Sequence, residues 1–292
     1  MIDEFLNYLR YDLNRSARTV DSYEQDLKLF EEFFTSLDSQ LTWETIDTDV
    51  IRDWLLQMMD KGNKASSVAQ RLAAVRSLYR YALAHHLVEK DPAHGVEPPK
   101  KQKLLPQFLK ENEMDRLLDH SAWGTTYKEV RARTIIMTFY ETGIRASELI
   151  GLDDGDVDFT AHQLKVTGKG DKQRIIPFGS ELETTLQHFI QQRDKEVTAL
   201  CPALFLTEKG QRMRYDQVRV EVKTHLAQVC TLKKLSPHVL RHTFATAMLN
   251  HGANIESIKR LLGHASVSTT EIYTHTTFEQ LKRVYQDAHP RA

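Results

Sequence analysis

Six side chains between residues 145 and 273 are suited to chemistry on a phosphate. A tyrosine hydroxyl can attack phosphorus, but its solution pKa of roughly 10 makes it a poor nucleophile at neutral pH without help. Arginine offers a planar fork of donors to two phosphate oxygens, and lysine and histidine can supply or accept a proton. The six residues are Arg145 in TGIRASEL, Lys169 in TGKGDKQR, His238 and Arg241 in SPHVLRHTFAT, His264 in LLGHAS and Tyr273 in STTEIYTH.

His238 and Arg241 have the most informative local setting. They follow Ser236-Pro237, a helix N-cap and a first-turn proline, so a helix is predicted to begin there and to run through Asn250. His251-Gly252 then ends it. Residues three apart on a helix share a face, and a helix N-terminus favours anions, so this pair predicts a phosphate site.

Each of the other features also has an ordinary structural interpretation. Arg145 and Glu148 are spaced as a surface ion pair on a helix, and Lys169 lies between two glycines at a predicted hairpin tip. His264 follows Leu-Leu-Gly, where a histidine can cap a helix. Tyr273 could be a packing residue with polar neighbours in the sequence. Each of these features is unremarkable by itself, and the combination of all six residues favours phosphate chemistry.

Metal chemistry is not supported by the sequence. The acidic run DDGDVD fails as a calcium loop, because counting from Asp154 places Phe159 at the sixth position and Lys165 at the twelfth. The chain has 13 histidines but no H-E-x-x-H pattern, and Cys201 and Cys230 lie far apart. We therefore expect no metal and no cofactor, and a reducing compartment suits the cysteine content.

Composition bounds the class of protein without deciding its partner. The chain has 292 residues, enough for two domains, with 41% hydrophobic and 27% charged residues, as in soluble globular proteins. No apolar run is long enough to span a bilayer and no secretory leader is evident, so we expect a cytoplasmic protein with no membrane partner. The net charge of −1 leaves nucleic-acid binding open, because basic residues cluster locally. These basic segments are 71–80, 100–103, 165–174 and 209–219.

The N-terminal part, residues 1–96, is predicted to be a helical bundle. Apolar residues recur there every three or four positions, which is the helical period, and Ser66-Ser67 would cap the last of its long helices. The basic, proline-rich stretch EPPKKQKLLP, residues 97–106, is predicted to be a domain linker.

The second predicted domain, residues 107–292, is mostly helical. Two β-prone runs around a glycine turn predict a hairpin over residues 163–178. Helical periodicity resumes from Glu181, and again over 215–229 and 255–262.

Together the six segments resemble the tyrosine recombinase (phage integrase) family in order and spacing. The resemblance covers nearly the whole chain: the N-terminal part is similar to the family's SAM-like core-binding domain and the remainder to its catalytic domain. The chain length and the ending VYQDAHPRA resemble the Xer subfamily. The resemblance implies a mainly α, two-domain DNA clamp with a small antiparallel β-hairpin in the catalytic domain.

The resemblance also implies a role for each of the six residues. Tyr273 is the expected nucleophile, forming a 3′-phosphotyrosyl link, and Arg145 and Arg241 neutralise the non-bridging phosphate oxygens. Lys169 is the expected general acid for the leaving 5′-oxygen. The remaining roles are proton removal for His238, phosphate binding for His264 and orientation of neighbouring side chains for Glu148.

The partners implied are double-stranded DNA and further recombinase protomers. Four protomers, identical or shared with a paralogue, would join two duplexes, and the segment of about 277–292 would dock on a neighbouring protomer. The alternative is that this segment packs on its own domain. Chromosome dimer resolution at cell division is the expected task, and a DNA translocase of the FtsK type as activator is left open by the sequence.

Four rival functions use some of the same features. A type IB topoisomerase would use similar residues, but the small helical N-terminal domain favours a recombinase. A mobile-element integrase often carries an extra arm-binding domain, for which this chain has no room. A non-catalytic DNA-binding protein would be expected to lack one of the six residues, and a metal-dependent nuclease would need clustered carboxylates.

Overall fold

The chain forms two compact units, residues 1–104 and 105–292. The structure, a computed structural model, describes residues 1–100, 107–168, 170–263 and 275–292, and only the backbone of 275–277. Of the predicted linker, residues 97–100 belong to no helix or strand, and residues 101–106 lie outside the described part of the chain.

The N-terminal unit is built from helices around an aromatic core. Phe30 lies at its centre, with the ring of Trp54 4.6 Å away and those of Phe34 and Trp43 at 5.4 and 5.6 Å. Its helices are α1 (Ile2–Asn7), continued by a π-helical turn (Tyr8–Asp12), α2 (Ala17–Leu37), α3 (Thr48–Asp60) and α4 (Ala65–Ala84).

The expected cap of α4 was wrong. Lys64 is the N-cap, and Ser66-Ser67 lie inside the first turn, where the Ser67 N–H donates to the Lys64 carbonyl. The apolar face of α4 begins to pack at Val68, so burial of that face sets the helix start rather than the capping preference of serine.

The second unit contains the remaining helices and one small sheet. Helices over 215–229, 237–250 and 255–262 confirm the sequence predictions. The helices are α5 (Glu111–Leu118), α6 (Tyr127–Thr142), α7 (Ala146–Gly151), α8 (Ser180–Glu196), α9 (Tyr215–Val229), α10 (Pro237–Asn250), α11 (Ile255–Leu262) and α12 (His275–Ala288), with short 3-10 turns at His120–Ala122 and Asp154–Asp156.

The sheet is antiparallel, in the order β1 (Val157–Asp158), β2 (Gln163–Thr167) and β3 (Gln173–Pro177). β2 and β3 form the predicted hairpin, with Val166 paired to Arg174. Where the two strands end, the Gly168 N–H donates a 2.8 Å hydrogen bond to the Lys172 carbonyl. Lys169, which was predicted to lie at the hairpin tip, is outside the described residues. A mainly α fold with a small antiparallel sheet is thus confirmed.

Helix α6 runs through the core of the second unit, and α12 covers part of its surface. From Thr134 to Thr142 every residue of α6 is buried. Leu281 and Tyr285 of α12 pack with Phe244 of α10 and Leu261 of α11. In the isolated chain α12 therefore packs on its own domain; docking on a neighbouring protomer stays a prediction. In the described part of the chain, no helix combines the length and apolar character needed to cross a bilayer.

Candidate active site

Arg145 lies at the junction between α6 and α7. Gly143 ends α6 with a left-handed backbone (φ 59°), which turns the chain so that Arg145 becomes the N-cap of α7. The Arg145 N–H donates to Glu148 Oε2 at 2.8 Å, and its Nη1 donates to Oε1 at 2.7 Å. Glu148 is only 2% exposed, so the spacing does not form the surface ion pair that was the ordinary alternative.

Arg174 of β3 completes the shell of Glu148, and sequence reasoning missed it. Its Nη1 and Nη2 donate to the two carboxylate oxygens at 2.7 and 2.8 Å, and its Nε donates to the Leu261 carbonyl at 3.0 Å. A signal was present in the sequence: Arg174 has the same strand parity as the buried Ile176, so it faces inward and needs an anionic partner.

These hydrogen bonds fix the charge of Glu148. Burial by itself raises the pKa of this carboxyl, but the hydrogen bonds and charge of Arg174, with those of Arg145, outweigh burial and lower the pKa to about 2. Glu148 is therefore an anion throughout the neutral range.

Arg241 enters the same region from α10. Its Nη1 donates to the Gly143 carbonyl at 2.6 Å and its Nη2 to the Leu262 carbonyl at 2.7 Å. Burial, together with the positive charge of Arg145, lowers the pKa of Arg241 to about 10, which still leaves it protonated at neutral pH.

His238, in the first turn of α10, is exposed, whereas Arg241 one turn later is buried. The N-cap of this helix is Ser236, as predicted, although its side chain makes no capping hydrogen bond. Partial desolvation of the His242 ring, with the nearby charges of His238 and Arg241, lowers the pKa of His242, although this side chain is exposed at the surface. Sequence reasoning did not select His242.

The end of α11 is the point where the three arginines meet. Three successive carbonyls there, those of Leu261, Leu262 and Gly263, accept from Arg174, Arg241 and Arg145 respectively. Carbonyls at a helix C-terminus lack partners within the helix and carry the negative end of its dipole, so they suit cationic donors. His264 follows directly, and both His264 and Tyr273 lie outside the described residues.

Glycines make this close approach possible. A Cβ at Gly143 would lie 2.5 Å from Phe244 Cδ1, and one at Gly263 would lie 3.0 Å from the Arg174 guanidinium. A Cβ at Gly168 would lie 3.3 Å from Glu148 Oε1. Gly143 and Gly263 also have positive φ angles, of 59° and 65°.

The arrangement is suited to binding an anion. Arg145 and Arg174 share the Glu148 carboxylate, and Arg241 adds a third guanidinium close by, so these four side chains together carry a net positive charge. The side chain of Arg145 is 34% exposed, which leaves it accessible to a ligand. Arginine forks fixed in advance can bind two oxygens of a phosphate without a reorganisation cost.

Family models match both units of the chain. The model described as the phage integrase family matches residues 107–280, and the one described as the phage integrase N-terminal SAM-like domain matches residues 2–86. A tyrosine recombinase XerC of Pelotomaculum thermopropionicum is 37% identical over 301 residues, covering 100% of this chain and 98% of the relative. A tyrosine recombinase XerD of Oceanobacillus iheyensis is 33% identical over 294 residues, covering 100% and 98%.

A solved structure shares the fold. The crystal structure of the XerH site-specific recombinase, bound to a palindromic difH substrate in a post-cleavage complex, aligns with a TM-score of 0.73. The alignment covers 97% of this chain and 82% of that one, at 22% sequence identity.

Proposed function

Because the chain belongs to the phage integrase family of tyrosine recombinases, we propose that it is a site-specific DNA recombinase. It cuts a strand of one duplex, keeps the cut end covalently attached, and joins that end to a strand of a second duplex. The observation that carries the proposal is the convergence of Arg145 and Arg241, from different helices, on the neighbouring carbonyls of Gly263 and Leu262. This convergence provides two fixed cations beside the segment that leads to the expected nucleophile.

In the proposed reaction, Tyr273 Oη attacks the phosphorus of a DNA phosphodiester. The P–Oη bond forms and the P–O5′ bond breaks, which gives a 3′-phosphotyrosyl link and a free 5′-hydroxyl. Arg145 and Arg241 bind the non-bridging oxygens, and these hydrogen bonds strengthen as negative charge builds in the transition state. An arginine in such a position is worth on the order of 10³–10⁵ in rate in other phosphoryl-transfer enzymes.

Two proton transfers accompany the exchange of bonds. His238 assists removal of the Tyr273 proton, and Lys169 donates a proton to the leaving 5′-oxygen. His264 donates a hydrogen bond to the phosphate. The family resemblance supports the roles of Lys169, His264 and Tyr273, which lie outside the described residues.

The reaction needs neither ATP nor a divalent metal. The phosphotyrosyl link retains the energy of the phosphodiester bond, so a 5′-hydroxyl from the second duplex can attack it and restore a DNA backbone. Charge neutralisation, which a metal supplies in many nucleases, comes from the arginines.

The proposed assembly is a tetramer on two duplexes. Residues 1–96 form the core-binding domain, 97–106 the linker and 107–292 the catalytic domain, and both domains grip one duplex as a clamp. Full-length similarity to XerC and XerD relatives supports pairing with a paralogue and a role in chromosome dimer resolution at cell division.

Trapping the covalent intermediate tests this proposal. The protein is incubated in chelator with suicide duplexes whose sequences are tiled across the replication-terminus region of its source genome. Each duplex carries a nick near the cleavage point, so the short fragment with the free 5′-hydroxyl diffuses away after cleavage. Denaturing gels should show a protein–DNA adduct with the wild-type chain and none with Tyr273→Phe. Wild-type protein that binds a duplex tightly, yet forms no adduct even with the paralogue added, would overturn the proposal.

A further inference from the structure

A single buried side chain, that of Arg174, joins three segments that carry predicted site residues. It stands on β3, and Lys169 belongs to the chain segment between β2 and β3. Its guanidinium binds Glu148, which in turn binds Arg145, and its Nε binds the Leu261 carbonyl near the end of α11. The side chain of Arg174 is 7% exposed, so it is not available to touch DNA itself.

We propose that Arg174 is a positioning residue for strand transfer, which holds Arg145, the β2–β3 hairpin and the end of α11 in one reactive arrangement. The proposal rests on the proposed function, because the reaction in question is the attack of Tyr273 on a DNA phosphate. In this role Arg174 does not touch the DNA and affects the reaction only by positioning other residues.

The hydrogen bonds of Glu148 show why Arg174 governs the position of Arg145. Glu148 accepts four hydrogen bonds, two from Arg174 side-chain nitrogens and two from the backbone and side chain of Arg145. Without Arg174, the hydrogen bonds that remain to the carboxylate within the described part of the chain come from Arg145, the residue that it must orient. The Arg145 fork then loses its fixed reference, and misplacement by about 1 Å can cost roughly 10²-fold in rate.

The enclosure of the guanidinium makes lysine a poor substitute. A Cβ on Gly263 would lie 3.0 Å from the Arg174 guanidinium, and one on Gly168 would lie 3.7 Å from its Nη1. A lysine ammonium keeps the positive charge, but it cannot bind both Glu148 oxygens and the Leu261 carbonyl with the geometry of a planar fork. Arg174→Lys therefore separates the effect of charge from the effect of position.

Loss of Arg174 should also introduce a new pH dependence. Among the residues that the structure describes, the charged groups that face Glu148 are Arg145 at the N-cap of α7, Arg174 on β3 and Arg241 on α10. With Arg174 removed, burial raises the Glu148 pKa and fewer hydrogen bonds oppose it. Glu148 then takes up a proton as the pH falls, and Arg145 loses its anionic partner.

The main experiment measures single-turnover adduct formation on a suicide duplex that the wild-type chain cleaves, together with the Kd for that duplex. For Arg174→Met we expect a rate lower by on the order of 10²-fold, a Kd within about threefold of wild type, and an additional acid-side loss of rate relative to wild type. Arg174→Lys should bind the duplex as wild type does and should recover part of the rate.

Arg193 on α8 offers a matched control. Its Nη1 and Nη2 bind both oxygens of Asp154 at 2.6 and 2.9 Å, its side chain is 4% exposed, and it also donates to the Leu204 carbonyl. Arg193→Met removes a similar two-point ion pair from the same unit without touching the candidate site. It should lower stability and leave the rate and its pH profile unchanged.

A second measurement needs no DNA and no nucleophile. Amide hydrogen exchange should quicken at the Arg145 N–H, in the β2–β3 hairpin and at the end of α11 in Arg174→Met, but not in Arg193→Met. Unchanged exchange in these segments, or equal rate losses in the two variants, would overturn the positioning role. If the wild-type chain forms no adduct, the proposed function fails, and the exchange data still decide the role of Arg174.

Discussion

Arg145 and Arg241 donate hydrogen bonds to the carbonyls of adjacent residues, Gly263 and Leu262, at 2.9 and 2.7 Å. Both acceptors are backbone carbonyls, so each guanidinium can exchange one of these hydrogen bonds for a bond to a phosphate oxygen. The end of α11 thus holds both guanidiniums in place for an anion, while Arg145 also keeps its hydrogen bond to Glu148.

The first prediction concerns the fork geometry of Arg241. In Arg241→Lys, one ammonium replaces two donors that now reach the Gly143 and Leu262 carbonyls. We expect single-turnover adduct formation to fall by on the order of 10³-fold, with a much smaller change in duplex affinity. Arg219→Lys, at an exposed position on α9, is the control and should behave as wild type. A wild-type rate in Arg241→Lys would show that this fork does not contact the reacting phosphate.

The second prediction concerns the acid stability of the catalytic unit. The pKa of Glu148 is about 2 in the folded chain, against an ordinary value of 4.5, so the folded state prefers the anion. Its contribution, roughly 3 kcal/mol, is fully present above the unfolded pKa and is lost as the pH falls from about 4.5 to 2. Urea unfolding should show Glu148→Gln to be strongly destabilised at neutral pH and close to wild type near pH 2. An equal destabilisation at both pH values would mean that the ionised carboxylate is not the cause.

The third prediction has the opposite sign and concerns Glu141 on α6. Burial raises the pKa of Glu141 to about 8, against hydrogen bonds from Gly179 and Tyr285 that lower it. Because the folded pKa exceeds the unfolded value of 4.5, stability should decline as the pH rises from about 4.5 to 8.

Replacing this carboxyl with an amide should remove that decline. Glu141→Gln cannot ionise, so we expect it to be more stable than wild type at pH 8, by on the order of a few kcal/mol, and nearly equal near pH 4.5. Comparing urea unfolding of the two proteins isolates Glu141 from His289, whose pKa burial lowers to about 4. A constant difference across this range would contradict the buried, protonated carboxyl.

The fourth prediction compares two glycines with left-handed backbones. Gly143 and Gly252 have φ angles of 59° and 85°, but an added Cβ meets Phe244 at 2.5 Å only at Gly143, and nothing within 4 Å at Gly252. Gly252→Ala should cost only the backbone term, about 1–2 kcal/mol. Gly143→Ala should cost about 1–3 kcal/mol more, because the Phe244 and Leu262 side chains must move. Equal midpoints of urea unfolding for the two variants would show that the core accommodates the added Cβ at residue 143 without loss of stability.

Local signals in the sequence were sufficient for most of the helices. The helices over 215–229 and 255–262 were predicted with the bounds that the structure gives, because their apolar period lies within the segments and their end signals lie at or directly beside them. Asn254 caps the second through a hydrogen bond to the Glu256 N–H, and Gly263 ends it. Serine at 66 and 67 misled the prediction, since the burial of Val68 and later residues outweighed a capping preference.

The candidate site was predictable in its residue types but not in its supports. Arg145 and Arg241 stood out by their local context, whereas their common partner is the backbone at the end of α11, which carries no sequence signature. Arg174 lies 26 residues after Glu148 in the sequence. Only the two-residue period of β3 indicates that the Arg174 side chain faces inward. Contacts between distant segments depend on packing, and a single sequence reports packing weakly.

The fifth prediction concerns the C-terminal helix. Leu281 and Tyr285 are 4% and 1% exposed, so α12 covers apolar surface on α10 and α11 of its own domain. If the segment of about 277–292 docks on a neighbouring protomer during synapsis, it must leave this surface. Deleting residues 278–292 should then spare binding of one duplex and abolish the four-protomer complex, and it should lower stability because Phe244 and Leu261 become exposed.

Mass measurement of the protein–DNA complexes checks this prediction, with unfolding in urea as the measure of the stability cost. Gln286→Ala, at an exposed position on α12, is the matched control and should assemble as wild type. A Tyr285→Ala variant, which loosens the helix without removing it, should favour release and so assemble at least as readily as wild type. Intact four-protomer complexes after the deletion would show that α12 serves only the domain on which it packs.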